Sequence, residues 1–129
     1  MFRNIIQYFN KKNLKDTKYE FLFDKTLNDE YVCFDCETTG LNPKKDDIVS
    51  IGAVIIKNNT IIASKRFVKF VKPKTKLQAD AIKIHHIRVC DLEDAEDINV
   101  VVEEFLNFIR NRTLVGYFLE FAIAMINKY

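Results

Sequence analysis

The spacing of apolar positions changes several times along the chain, and each change marks an element. The run "YVCFDC" at 31–36 is rich in aromatic and β-branched residues and predicts a strand. A second apolar run at 48–57 is separated from a third at 61–71 by "NNT". Asparagine tolerates the left-handed backbone of a tight turn, so these two strands are expected to form a hairpin. Pro73 ends the third strand, and residues 79–84 predict a short helix before the acidic connector "DLEDAED". From about Ile98, the side chains of Val101, Val102, Phe105, Leu106 and Ile109 fall on one helical face, with Glu103 and Glu104 off it. A stripe of this kind belongs to a core rather than to a docking surface for another protein. "NRTLVGY" adds a short strand, and "LEFAIAMINKY" a last helix. Upstream, Phe2, Ile5, Ile6 and Phe9 recur at helical spacing and predict a short amphipathic helix over 2–12, leading into a polar connection. Residues 1–29 therefore read as a helical and polar extension, and 30–129 as one α/β domain without internal repeat or low-complexity linker.

Composition narrows the class. With 129 residues, 48% of them hydrophobic, the chain is long enough for one core and too short for two comfortable domains. Its apolar runs fall far below the roughly 20 residues of a membrane-spanning helix, and "MFRNIIQYFNKKNLK" lacks an apolar block with a small-residue cleavage site, so no membrane partner and a cytoplasmic location are expected. Three cysteines are an odd number, which favours reduced thiols over a disulfide framework. A net charge of +2 selects no partner. Lys and Arg gather in "NKKNLKDTK" and "KRFVKFVKPKTK", each read as solvated surface charge.

The candidate chemistry sits where the first strand ends, in "YVCFDCETTG". Side chains two apart on a strand share a face, so Asp35 and Glu37 project side by side. Two carboxylates held together repel unless a cation lies between them or one is protonated, and oxygen-only ligation suits Mg²⁺ or Mn²⁺ rather than zinc. Taken alone, D-x-E is more often the mark of solvent-exposed acids before a turn. Cys33 and Cys36 offer a rival C-x-x-C site, but residues three apart on a strand face opposite ways, and no second Cys or His pair follows at finger-like spacing. "TTG" turns the chain, with Gly40 free to take a positive φ, and its hydroxyls and amides are placed to meet a phosphate or sugar.

The string "FDCETTGLNPKKDDIVSIGAVII" resembles the first catalytic motif of the DEDD 3′–5′ exonuclease family, the group of the DNA polymerase III epsilon subunit and RNase T. In that family D-x-E-T-T-G-L-x-P ends the first strand and an I-x-x-I-G-A-V strand follows, as Ile48, Ile51, Gly52, Ala53 and Val54 do here. "AIKIHHI" is similar to the family's A-x-x-I-H-G-I element, and "LVGYFLEFAIAMI" to its L-V-G-H-N segment followed by Phe-Asp in a helix. The resemblance covers residues 30–129.

It implies an RNase H-like mixed sheet with flanking helices, C-terminally truncated, and stepwise hydrolysis of phosphodiesters from a single-stranded DNA or RNA 3′ end. It implies two Mg²⁺ or Mn²⁺ ions in the intact family, and DNA polymerase subunits as further partners. On that template Asp35 and Glu37 are catalytic and metal-binding, while Thr38, Thr39, Gly40 and His85 meet the substrate. The family's third acid falls at Ala122, which cannot ligate a metal, and Glu120 lies about 200° away on a helix, so it does not replace the missing carboxylate. The family's general base and fourth acid have no counterpart by Tyr129. The expected consequence is an impaired exonuclease, with a non-catalytic nucleic-acid- or polymerase-binding module of the same fold as the alternative. Without a helix to cover them, Phe121 and Ile126 are expected to be exposed.

Overall fold

In the computed structural model, residues 10–27 and 29–129 are described; the helix expected over 2–12 lies outside them except for its end, where residues 10–12 are helical. Three strands come first: β1 (Glu30–Thr38), β2 (Ile48–Lys57) and β3 (Thr60–Phe70). They are followed by α1 (Ala79–His85), a 3₁₀ turn at Val89–Leu92, α2 (Ile98–Ile109), β4 (Thr113–Val115) and α3 (Leu119–Ile126). The sheet order is β3-β2-β1-β4, with β1 antiparallel to β2, β2 antiparallel to β3, and β4 parallel to β1. The hairpin falls where "NNT" predicts it: Asn58 and Asn59 take φ of 50° and 58°, the left-handed pair that a two-residue turn matching strand twist requires.

Alternation along β1 decides which side of the sheet is filled. Val32, Phe34 and Cys36 are buried on one face, against Ile51, Ala53 and Ile55 of β2 and Phe67 of β3. That face is covered by α2 through Ile98, Val101, Phe105 and Ile109, and by α3 through Ala122 and Met125. Phe105 is the centre of this layer, with its ring 5.1 Å from Phe34 and 5.6 Å from Phe67. Truncating such a side chain to alanine typically costs about 3–5 kcal/mol. Within the predicted α2 stripe, Val102 and Leu106 are only partly buried, because a stripe of five positions is wider than the seam against the sheet. Phe121 and Ile126 are likewise half-buried against this core rather than exposed, which corrects that expectation.

A second, smaller core joins Val49 to Leu77 and Leu92 and fixes α1 beside the end of β1. The 3₁₀ turn at Thr17–Phe23, absent from the periodicity, begins at Asp16, whose side chain accepts the Lys18 amide at 3.1 Å. It leans on the domain through Leu22, a Lys18–Glu103 ion pair at 3.1 Å, and the Arg110 guanidinium over the Phe21 ring. Among the described residues no helix is long and apolar enough to cross a membrane.

Candidate active site

Asp35 and Glu37 lie on the face of β1 opposite Val32, Phe34 and Cys36, at the strand's carboxyl end. Asp35 pairs across the ladder with Gly52 and Glu37 with Ser50, so no large side chain of β2 stands beside either acid. The register then slips between Glu37 and Thr38, a bulge that ends regular pairing where the acids sit. Both carboxylates line one cleft of about 400 Å³, within the roughly 300–1,000 Å³ typical of small-ligand sites. One oxygen of Asp35 accepts the Cys36 amide at 2.9 Å, which orients the carboxylate.

The turn after the acids is held from behind by a buried polar network. Thr38 donates its hydroxyl to the Gly40 carbonyl at 2.7 Å. The Thr39 hydroxyl lies 3.2 Å from Asp46 Oδ1 and 3.0 Å from the Thr75 hydroxyl, and accepts the Asp47 amide at 3.0 Å. Thr39 is fully buried and does not line the cleft, so its expected contact with substrate is replaced by a supporting one. Asp46 also accepts the Asn42 amide at 2.8 Å and the Gln78 amide group at 3.1 Å. Gly40 has no positive φ, contrary to expectation. Its requirement is space: an added Cβ would stand 2.5 Å from Gln78 Nε2 and 2.6 Å from Asp46 Oδ2. Neither the buried acids nor this close approach has a signature in the local sequence pattern.

Helix α1 forms the opposite wall with Asp80, Ala81, Ile84 and His85. His85 Nδ1 accepts the Ile87 amide at 3.0 Å, so the neutral ring carries its proton on Nε2. That nitrogen is covered by protein and has no hydrogen-bond partner among the described residues. A buried donor without a partner is uncommon and costs about 1–3 kcal/mol, and it lies in a side chain that lines the cleft. Gly116 lets the chain after β4 pass close to β1, since a Cβ there would meet the Phe34 carbonyl at 2.6 Å. That approach brings Tyr117, Phe118 and Phe121 to the cleft. Ala122 is 2% exposed in the main core, and Glu120 is exposed outside the cleft.

The donor set facing the cleft fits a hard divalent ion at Asp35 and Glu37, the remaining coordination positions being left to water or a ligand. Among the described residues no group of three or more His, Cys, Asp or Glu is arranged around one ion, so Asp35 and Glu37 are the carboxylates that the cleft offers together. Cys33 is half-buried and Cys36 buried, on opposite faces, and all three cysteines are free thiols. Burial, with Asp35 and Glu37 adding to it, pushes the Cys36 thiol up to about 12, which keeps it protonated and a poor metal ligand.

A mixed sheet with helices laid on it, and with an acid pair at the end of an interior strand, defines this chain as an RNase H-like fold of the exonuclease type. The RNase T exonuclease family matches it over residues 32–129, and the chain belongs to that family. It is 33% identical over 114 residues to a PolC-type DNA polymerase III of Mycoplasmopsis pulmonis, covering 88% of this chain and 8% of that protein. It is 32% identical over 109 residues to the DNA polymerase III epsilon subunit of Treponema pallidum, covering 84% of this chain and half of that protein. The chain therefore spans a small part of the first and half of the second. The fold is also similar to the zinc-bound complex of E. coli ExoI with single-stranded DNA, at a TM-score of 0.68 and 17% identity, over 78% of this chain and 23% of that one.

Proposed function

We propose that residues 30–129 form a 3′–5′ exonuclease domain, with 1–29 as an extension, in which the cleft takes the 3′-terminal nucleotide of single-stranded DNA or RNA. The observation that carries this reading is the placement of Asp35 and Glu37 on one strand face, in one cleft with Thr38, Gly40 and His85. Asp35 and Glu37 would hold one Mg²⁺ or Mn²⁺, which when bound supplies Lewis-acid charge and a more acidic water for attack on the scissile phosphate. The same charge lets a phosphate approach an otherwise acidic wall. His85 flanks the terminal nucleotide on the α1 side of the cleft, and Thr38 and Gly40 shape the floor beneath it.

The hydrolytic step in this chain is slow, because Ala122 stands where the resemblance calls for the third carboxylate. That deficit favours the second reading, a module that binds nucleic-acid 3′ ends or a polymerase subunit with little turnover. Mn²⁺ titration followed by electron paramagnetic resonance, run beside release of the terminal nucleotide from a labelled single strand, tests both. One bound ion, lost in Asp35→Asn and Glu37→Gln, with mononucleotides released slowly, supports the exonuclease; the ion without release supports the binding module. No bound ion, or an ion unaffected by both substitutions, overturns the site.

A further inference from the structure

Pairing between β1 and β2 slips between Glu37 and Thr38, so the regular ladder that fixes Asp35 stops at the second acid. The backbone beyond it is held by a different device. The Thr39 amide donates to the Asp47 carbonyl at 2.8 Å, and the Asp47 amide donates back to the Thr39 hydroxyl at 3.0 Å. Residue 47 is thereby stapled to a position two residues past Glu37.

Asp47 is itself anchored through both side-chain oxygens. Oδ2 accepts the amides of Lys74 and Thr75 at 2.9 and 2.7 Å, while Oδ1 takes Lys128 Nζ and the Tyr129 hydroxyl from just past α3. The Thr75 hydroxyl also lies 3.0 Å from that of Thr39, which closes the network back onto the turn. Asp47 is buried and does not line the cleft, so it neither ligates an ion nor touches a substrate there. A buried polar network whose members are all satisfied stiffens what it joins. Here it joins the strand end carrying Glu37 to α3, which brings Phe121 to the cleft.

We propose that Asp47 is a positioning residue for the ion site at Asp35 and Glu37, and that a bound ion and the joint of Lys128, Asp47 and Tyr129 stabilise one another. This role rests on the two acids being the ion site. A small divalent ion accepts little departure from its preferred coordination, so drift of the strand end that carries Glu37 weakens its hold. Coupling between two sites is reciprocal: if the joint tightens the ion, the ion tightens the joint by the same factor.

The test reads both ends of this coupling in the whole chain. Mn²⁺ affinity is measured at pH 7 from the free-ion electron paramagnetic resonance signal, for the parent, Asp47→Asn, Lys128→Met and the double variant. Each single variant is expected to bind Mn²⁺ about tenfold more weakly, the low end of what losing an outer partner costs at a metal site. The double variant is expected to lose no more than either single one, because both substitutions cut the same joint. Val101→Ala removes a core contact of α2 away from the joint, and is expected to lower the urea midpoint while leaving Mn²⁺ affinity unchanged. Urea curves show whether each variant is folded in the assay, and Lys128→Met, its side chain 28% exposed in the parent, carries the test if Asp47→Asn is not. In the reverse direction, saturating Mn²⁺ is expected to slow removal of Tyr129 by a serine carboxypeptidase about tenfold in the parent and not in Glu37→Gln. Equal Mn²⁺ affinity in the parent and the joint variants, an equal loss in Val101→Ala, losses that multiply in the double variant, or Tyr129 removal indifferent to Mn²⁺ overturns the positioning role. If the parent's ion is nonetheless lost in Glu37→Gln, the ion site itself stands. No ion in the parent, or one indifferent to Glu37→Gln, overturns the site and the joint together.

Discussion

Tyr129 donates its hydroxyl to Asp47 Oδ1 at 3.0 Å, tying the residue three positions beyond α3 to the loop between β1 and β2. Lys128 Nζ reaches the same oxygen at 3.0 Å and the Asp46 carbonyl at 2.7 Å, while the amides of Lys74 and Thr75 donate to Asp47 Oδ2. One buried carboxylate thus joins α3, the turn behind the acids and the loop leading to α1, the three pieces that frame the cleft.

Burial alone would raise the pKa of Asp47, but the hydrogen bonds from Lys128, Thr75 and Tyr129 outweigh it and bring it down to about 2. A carboxylate whose folded pKa is depressed contributes stability above its unfolded value, near 3.8, and loses it as pH falls through the folded one. Urea midpoints are expected to drop between about pH 4 and pH 2, and in Asp47→Asn this part of the decline disappears. The parent's advantage over that variant at pH 7 is about 2 kcal/mol. Tyr129, pushed up to about 12 mainly by burial and then by Asp47, acts in the opposite sense. Its contribution is complete below pH 10 and is lost as pH rises through 12, and Tyr129→Phe removes that alkaline loss. Identical acid limbs for the parent and Asp47→Asn would refute the coupling.

Gly40→Ala is expected to destabilise the fold by about 1–3 kcal/mol, the usual cost of forcing atoms into a filled site. The added methyl meets Gln78 Nε2 and Asp46 Oδ2 within 2.6 Å. Because Asp46 is 6% exposed and holds the turn after Glu37, Mn²⁺ affinity should fall along with stability. Gln78→Ala in the same chain should restore part of the stability, as it removes the nearer obstacle. A neutral Gly40→Ala by urea unfolding counts against this packing.

How much of this was legible in the sequence depended on range. The hairpin at Asn58 and Asn59, α2 and the shared face of Asp35 and Glu37 are local patterns with periods of 2 or 3.6, and they are where the periodicity places them. The supporting network was not legible. Asp46 and Asp47 look like surface charges in "KKDDIV", yet they are buried, with partners as distant as Gln78 for Asp46 and Thr75 and Tyr129 for Asp47. Thr39 reads as a ligand-facing hydroxyl by its place in "ETTG" and is fully buried, with Thr75, 36 residues away, beside its hydroxyl. The exposed ring of Leu41, Ile84, Tyr117 and Phe118 was missed because apolar residues in a sequence are read as core, and only the fold shows them gathered at one opening.

His86 closes α1 in the left-handed region with φ of 61°, a conformation that glycine adopts without penalty. Its side chain is exposed. His86→Gly is expected to stabilise the domain by about 0.5–1 kcal/mol, after allowance for glycine's greater freedom in the unfolded chain. Urea unfolding of the pair measures this directly, and a loss of stability would mean that the imidazole has a role its exposure conceals.

Thiol reactivity should follow burial. Cys90 is exposed, Cys33 half-buried, and Cys36 buried with its pKa pushed up to about 12. With Ellman's reagent at pH 8, Cys90 is expected to react first and Cys36 only on unfolding, because the thiolate is the attacking species. Stoichiometric zinc in protein purified without added metal, or fast reaction of Cys36, would contradict the assignment of Cys33 and Cys36 as structural thiols.

Restoring the missing carboxylate at residue 122 is the sharpest test of why hydrolysis is slow. Ala122 is 2% exposed among Cys36, Phe34 and Met125 of the core, so Ala122→Asp places a charge where apolar atoms now pack. Without a cation the cost is expected to be about 3 kcal/mol, read as a lower urea midpoint in EDTA. If the new carboxylate reaches an ion held by Asp35 and Glu37, Mn²⁺ should return part of that stability, whereas the parent gains less from the same addition. Turnover is expected to stay low even so. Removing one oriented electrostatic partner typically costs about 10²–10³ in rate, and residues that act as a unit are not repaired singly. The assay is release of the terminal nucleotide from a 3′-labelled single strand in Mn²⁺ by the chain, by Ala122→Asp, and by that variant extended with the segment that follows in the Treponema pallidum epsilon subunit. Recovery only in the extended protein is the expected outcome. Full activity in Ala122→Asp alone would mean that a side chain within these 129 residues already serves as the base, and His85, which lines the cleft, would be the first to replace.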